Sequence, residues 1–235
     1  MIDFHSHILP NIDDGSRSVE ESAALLSILW EQGVDLVCAT PHFDPAFETP
    51  VAFLERREKA KERVLAHLTD VTRPRILLGA EVAYYAGISR MQALPSLRLE
   101  GSPLLLLEMP IGRWSEYTVK ELKELSCYGG IRLLLAHVER YMLHQSPRVW
   151  EDLLDHGILM QVNASYFINF GSRQRALRQL KRGEIHALGS DCHNVTHRPP
   201  KVAQAIEVIR HRLGEVGETR LNFIGSGLID SSVSV

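Results

Sequence analysis

The sequence predicts an α/β domain organised around a mostly parallel sheet. Three observations carry that expectation. Short apolar runs alternate with longer segments of helical period, the rhythm of βαβ units with helices outside the sheet. Successive strand candidates end on His, Glu or Asp. The 235 residues, 45% of them hydrophobic, suffice for one sizeable core. Seven strands in this length suit either a closed barrel or an open doubly wound sheet. No G-x-G-x-x-G follows the first strand, so a dinucleotide-binding sheet loses support.

Taken in order, the strand candidates are Ile2–His5 ("IDF" and its histidine), Asp35–Ala39 in "DLVCATP", Arg75–Leu78 in "RILLGA", Leu104–Glu108 in "LLLLE", Arg132–Ala136 in "IRLLLA", Leu159–Val162 in "LMQV" and His186–Leu188 in "IHALGS". Each is a short apolar run. The helix candidates between and after them are Val19–Gln32, Pro50–Leu68, Glu116–Ser126, Pro147–His156, Arg173–Lys181 and Lys201–Leu213. In the second, "FLERREKAKERVLAHL" sets Glu and Lys/Arg residues at helical spacing. No linker, repeat or low-complexity stretch interrupts the alternation, so one domain is expected over residues 1–235.

Composition excludes several functions. A net charge of −3 offers no attraction to nucleic acid or to an anionic membrane. The longest pure apolar run, Leu104–Leu107, falls far short of the roughly 18 residues of a membrane span. The opening "MIDFHSHILPNIDDG" is too polar and acidic for a signal peptide. Three widely spaced cysteines form no disulfide framework, and a cytoplasmic location is expected.

The chemistry sits at the strand ends. His5 and His7 follow the first strand, then His42, Glu81, Glu108 and His137 follow later ones, and Asp191 and His193 the last; only "LMQV" ends on a neutral residue, Asn163. In a parallel barrel the C-terminal strand ends converge on one face. Residues i and i+2 of a strand point to the same side, so His5 with His7, and Asp191 with His193, can address one ion. Any one of these residues alone reads as a cap or a solvated loop residue. Six segments doing the same thing read as a centre for divalent cations, because crowded carboxylates repel one another unless neutralised. Imidazole with carboxylate suits Mn, Fe or Zn. His67, His156 and His211 fall on helices and read as surface residues.

The stretches "DFHSHILPNIDDGS", "ATPHF", "GAE", "LLLEMP", "AHVERY", "QVNASY" and "SDCHN…RPP" resemble the PHP (polymerase and histidinol phosphatase) superfamily, and within it the manganese-dependent bacterial tyrosine-protein phosphatases of capsule and exopolysaccharide synthesis, the CpsB/YwqE-like family. The resemblance spans residues 1–200. It implies a distorted (β/α)7 TIM-like barrel of PHP type holding two or three divalent ions. His5, His7, Glu81 and Asp191 would hold the first, Glu81 would bridge to a second completed by Glu108 and His137, and Asp14, His42 and His193 would hold a third. Asp13 is the alternative to Asp14. Arg140 and Arg198 match phosphate-gripping positions, and His42 is a candidate leaving-group acid. The implied substrate is phosphotyrosine on protein, the tail of a bacterial tyrosine kinase; histidinol-phosphate phosphatase and a non-catalytic metal-binding module are the alternatives. Two residues depart from the family pattern: Asn11 where Gly is expected, and Cys192 where a small residue such as Ala is usual. The tail "LNFIGSGLIDSSVSV" lacks the family's Asn-Pro element, and no secondary structure is assigned to it.

One competing motif lies in "SDCHNVTHR": Cys192 and Arg198 stand at the C-x5-R spacing of cysteine-dependent phosphatases. Such a loop wraps backbone amides around phosphate, normally with glycine. Residues 193–197 contain none, and Asp191 opposes a thiolate beside it. Cys192 therefore reads as filler, and Arg198 as a phosphate ligand in a metal-dependent reaction.

Overall fold

The computed structural model describes residues 1–68 and 73–229. Its strands are β1 (Ile2–Ser6), β2 (Leu36–Ala39), β3 (His42–Phe43), β4 (Arg75–Leu78), β5 (Glu81–Ala83), β6 (Leu104–Glu108), β7 (Arg132–Leu135), β8 (Leu159–Asn163) and β9 (Ala187–Gly189). All their ladders are parallel. The nine pieces are seven strands, because two of them bend. Thr40–Pro41 divides β2 from β3, and Gly79–Ala80 divides β4 from β5. The backbone pairing runs on across the bend, with Gly79 N donating to Ala39 O at 2.9 Å and Glu81 N to Pro41 O at 3.0 Å. The ring closes between β9 and β1 through Asp191 N to His5 O at 2.8 Å and His7 N to Cys192 O at 2.9 Å.

The helices are α1 (Val19–Glu31), α2 (Pro50–His67), α3 (Glu116–Ser126), α4 (Pro147–Asp155), α5 (Ala164–Ile168), α6 (Phe170–Arg182), α7 (Val202–Leu213) and α8 (Glu215–Ile229). Ser18, Thr49 and Ser115 cap the first three, each side chain accepting from an amide of the first turn. Between β5 and β6 the crossover has only two 3₁₀ turns, Ile88–Arg90 and Leu94–Leu97. The chain after them wedges between β4 and β6: Glu100 N donates to Leu78 O at 2.7 Å and Leu99 N to Leu104 O at 2.8 Å. Gly79 makes room, since a Cβ there would stand 2.5 Å from the Leu99 side chain. The barrel is split on this side, which is its distortion from a regular one.

Strand alternation sorts the apolar residues into two layers. Leu105, Leu107, Leu133 and Leu135 join the large outer core beneath the helices. Leu104, Leu106, Leu134 and Ala136 join Phe4, Cys38, Leu159 and Ala187 in a separate inner cluster. Leu228 of α8 completes that inner cluster. Ser102 Oγ donates to Leu228 O at 3.1 Å, and a Cβ on Gly225 would meet the Phe4 ring at 3.1 Å. α8 therefore plugs the end of the barrel opposite the mouth. The tail without an assigned element is thus helical through Ile229; residues 230–235 lie outside the described ones.

Candidate metal centre

All nine residues expected as ligands meet at the mouth. His5 Nε2 and His7 Nε2 lie 3.1 Å apart, and each faces Glu81 Oε2, at 3.0 and 3.2 Å. Asp191 Oδ1 stands 3.9 and 3.6 Å from the same two nitrogens. His137 Nε2 lies 2.7 Å from Glu81 Oε1 and 3.4 Å from Glu108 Oε1. His42 Nδ1 is 3.1 Å from Glu81 Oε2 and 3.9 Å from Glu108 Oε2. Asp14 Oδ1 lies 3.5 Å from His42 Nε2 and 3.3 Å from His193 Nε2. Glu81, bridging these groups, is the hub. His5, His7, Glu81, His137, Asp191 and His193 are buried, whereas His42, Glu108 and Asp14 form an open rim.

The protonation pattern tests whether these groups fit a cation. His7 Nδ1 pairs with Asp13 Oδ2 at 2.7 Å and His5 Nδ1 with Gln161 Oε1 at 3.3 Å. Both partners are acceptors, so both Nδ1 atoms carry the proton. The two Nε2 lone pairs then converge with Glu81 Oε2, itself buried without a hydrogen-bond donor. Three acceptors facing one point require a positive charge there. Ligands held about 2.1 Å from an ion lie about 3 Å apart in octahedral order, which is the spacing seen.

The electrostatics agree. Burial disfavours the Glu81 carboxylate, but His5, His137 and His7 outweigh it and hold its pKa well below the usual range. Asp191 is likewise held down against burial by His5, Arg140, His7 and Arg198. Burial works against charging His7 and His137. Asp13 and Glu81 nonetheless raise His7 to about 10, and Glu108 and Glu81 raise His137 to about 9. Burial and the neighbouring charges of His7 and Arg198 depress His193 to about 4. The carboxylates hold protons on imidazoles where divalent ions would otherwise sit.

Several residues outside the expected ligand set shape the centre. Asp13, set beside Asp14 as an alternative, faces inward and accepts from His7 Nδ1, Gly15 N at 2.9 Å and His42 N at 3.0 Å. Asp14 faces outward to His42 and His193. Gly15 lets this turn close on β1, since a Cβ would come within 2.3 Å of His7 O. Asn11 has φ +56, the left-handed conformation that glycine takes freely and asparagine tolerates; that is how Asn serves at a position where Gly was expected. Strand β8, which carries no acid or imidazole, supplies two amides. Gln161 Oε1 also accepts from His137 N at 2.6 Å, Gln161 Nε2 donates to Asn163 Oδ1 at 3.0 Å, and Asn163 Nδ2 donates to Asp191 Oδ2 at 2.7 Å. Gly189 is the space for this chain, its Cβ position lying 2.5 Å from Gln161 Nε2 and 2.6 Å from His5 Cβ.

Arg140 and Arg198 both reach Asp191, Arg140 Nη2 on Oδ2 and Arg198 Nη2 on Oδ1 at 2.8 Å. Their side chains are 36% and 41% exposed, so they border the opening. The segment between Cys192 and Arg198 is no phosphate loop. Asn194 Oδ1 takes the amides of Thr196, His197 and Arg198, and His193 N donates to Arg198 O. Cys192 is fully buried in the outer core, and burial pushes its thiol far above the usual range. Of four aromatic residues at or beyond strand ends, Phe43, Tyr141 and Tyr166 are buried in the core, whereas Phe47 is 87% exposed.

A parallel barrel with histidines and carboxylates gathered at its C-terminal mouth has the architecture of the metal-dependent barrel hydrolases. Over residues 1–226 the chain matches the family described as "Capsular polysaccharide synthesis, CpsB/CapC", and it belongs to that family. It is 33% identical to the tyrosine-protein phosphatase CpsB of Streptococcus pneumoniae, over 91% of each chain. Among solved structures it resembles the pair YwqE of Bacillus subtilis and CpsB of Streptococcus pneumoniae, described as metal-dependent tyrosine phosphatases; the TM-score is 0.84 at 24% identity, covering 100% of this chain and 96% of the other. The histidinol phosphate phosphatase of Lactococcus lactis shares the fold more distantly, with TM-score 0.57 at 12% identity over 95% and 92% of the two chains.

Proposed function

We propose that this chain is a metal-dependent protein-tyrosine phosphatase acting in capsule or exopolysaccharide synthesis, with manganese as its ion and the phosphorylated tail of a bacterial tyrosine kinase as its substrate. The observation that carries the chemistry is the convergence of His5 Nε2, His7 Nε2 and Glu81 Oε2 on one point. The identity of the substrate rests on the family and its named relatives. Three free cysteines fit a reducing cytoplasm.

His5, His7, Glu81 and Asp191 would hold one ion, Glu81, Glu108 and His137 a second, and Asp14, His42 and His193 a third. Bound divalent ions activate water as a nucleophile near neutral pH and offset phosphoryl charge. Asp13 and Gln161 orient the imidazoles of His7 and His5, fixing the proton on Nδ1 and leaving Nε2 as the donor atom. Arg140 and Arg198 bring planar fork donors to phosphoryl oxygens at the rim. Asp191 holds both guanidiniums in place before substrate arrives. His42, the imidazole of the centre that is open to solvent, meets the leaving phenolic oxygen. Phe47, exposed and five residues beyond His42, offers an apolar surface for the phenyl ring.

The test is phosphate release from a phosphotyrosine peptide and from histidinol phosphate, each with manganese and with chelator. Turnover of the peptide that depends on added metal is expected. A higher kcat/KM for histidinol phosphate would overturn the substrate, and full activity in exhaustively chelated protein would overturn the mechanism.

A further inference from the structure

A groove of about 680 Å³ runs between α3 and α4 and is closed at one end by two segments that lead out of the centre. One, Arg113–Ser115, follows Glu108 by five residues; the other, His144–Ser146, follows Arg140 by four. Gln145 ties the walls together, accepting from Trp114 N at 3.0 Å and donating to Gly112 O at 2.5 Å. Behind them Trp114, Tyr141 and Trp150 pack with ring centroids 5.2 to 6.2 Å apart, a rigid backing. Ile111 and Leu143 lie just before these two segments and are 72% and 70% exposed.

The lining is cationic: Arg113, Lys120, Lys123 and Arg148 against Glu116 and Asp152. Lys123 is matched by Asp152 at 2.9 Å and Lys120 by Glu124 at 3.7 Å. That leaves the two arginines. Arg113 has no acidic partner among the described residues, and Arg148 reaches Asp152 only as a distant charge. A preformed groove with two uncommitted guanidiniums suits an anion that accepts forked hydrogen bonds. Its position fixes where on a substrate that anion would lie. Five residues of extended chain span at most about 17 Å, so Arg113 stands within that distance of Glu108. A peptide whose phosphotyrosine enters the mouth can place a residue up to about five positions away in this groove, passing over Ile111 and Leu143.

We propose that this groove is a substrate subsite taking an anionic side chain, a carboxylate or a second phosphoryl group, within about five residues of the phosphotyrosine. The proposal rests on the phosphatase reading above and adds selectivity among substrates to it.

The test uses the metal-loaded full chain and labelled peptides carrying a non-hydrolysable phosphotyrosine analogue, read by fluorescence anisotropy. Three peptides are compared, with two flanking Glu, two flanking Gln, or one flanking phosphotyrosine analogue. The wild type is expected to favour the Glu peptide over the Gln peptide by about fivefold at low salt. In Arg113→Gln/Arg148→Gln that ratio should collapse towards one. The phosphorylated flank should likewise bind more tightly than the Gln peptide, and that advantage should also fall in the double variant. Equal affinity for Glu and Gln peptides in the wild type, or an unchanged ratio in the double variant, overturns the subsite. Binding needs no turnover, so a chain inactive on every phosphotyrosine substrate would sink the phosphatase reading while this comparison still decides the groove.

Discussion

Replacing Asp13 by Asn should separate the ligands from what orients them. Asp13 touches three donors: His7 Nδ1 at 2.7 Å, Gly15 N at 2.9 Å and His42 N at 3.0 Å. A carboxylate, which only accepts, satisfies all three. An amide of the same shape offers one accepting oxygen and one NH2. If the oxygen faces His7 and His42, the NH2 opposes Gly15 N; turned over, it opposes the other two. Either way a buried donor meets a donor, and His7 loses the charge-assisted bond that fixes its tautomer. Orienting partners of this kind are worth about 10- to 100-fold in metal affinity, or about 1.4 to 2.8 kcal/mol. Asp13→Asn should therefore bind manganese about 10- to 100-fold more weakly, measured by calorimetric titration of chelated protein, with its circular dichroism unchanged. Asp13→Glu, which keeps an acceptor-only group, should lose less. A folded Asp13→Asn protein with wild-type affinity would refute the reasoning, and His7 would then need no orienting carboxylate.

Three further outcomes follow from the same geometry. In chelated protein His7 and His137 titrate at about 10 and about 9, raised from 6.5. Their contribution to stability is complete below pH 6.5 and disappears as pH rises through those values. The urea midpoint of chelated protein should fall over that window and that of metal-loaded protein should fall less; superimposed curves would contradict it. Arg198→Lys keeps the charge but loses the fork, so vanadate binding should weaken about tenfold at unchanged metal content, and unchanged affinity would remove Arg198 from the site. Cys192→Ala should keep its phosphatase activity at a cost of about 1 kcal/mol in stability; an inactive variant with metals bound would restore the thiolate mechanism.

The parts legible in the sequence were those with a charge or a period. Seven apolar runs announced seven strands, and residues at their C-terminal ends met because a parallel barrel points those ends one way. The pieces β3 and β5 escaped notice because they are two and three residues long, set off by bends at Thr40–Pro41 and Gly79–Ala80. α8 was unreadable for another reason. Gly217, Gly225 and Gly227 weaken its helical propensity, and Gly225 is accounted for only by the Phe4 ring lying against it. Gln161 and Asn163 carry no charge to mark them as partners of His5 and Asp191. Asp13 and Asp14 are chemically identical neighbours; which one turns inward is decided by the turn through Gly15.

The seam between β1 and β9 has a consequence for how such a molecule matures. His5 comes from the first strand and His7 from just beyond it, Asp191 and His193 from just beyond the last, and the same hydrogen bonds that shut the ring bring these residues together. A nascent chain still lacking its last strand owns His5, His7 and Glu81 but not the fourth group. Its two ends are separated by a loop of most of the protein, whose closure is a slow, non-local event. An ion that binds across the seam rewards only the completed ring, adding its binding free energy to that of folding. An ion held by these four groups would then act as a clasp between the first and last strands of the barrel as well as a reagent.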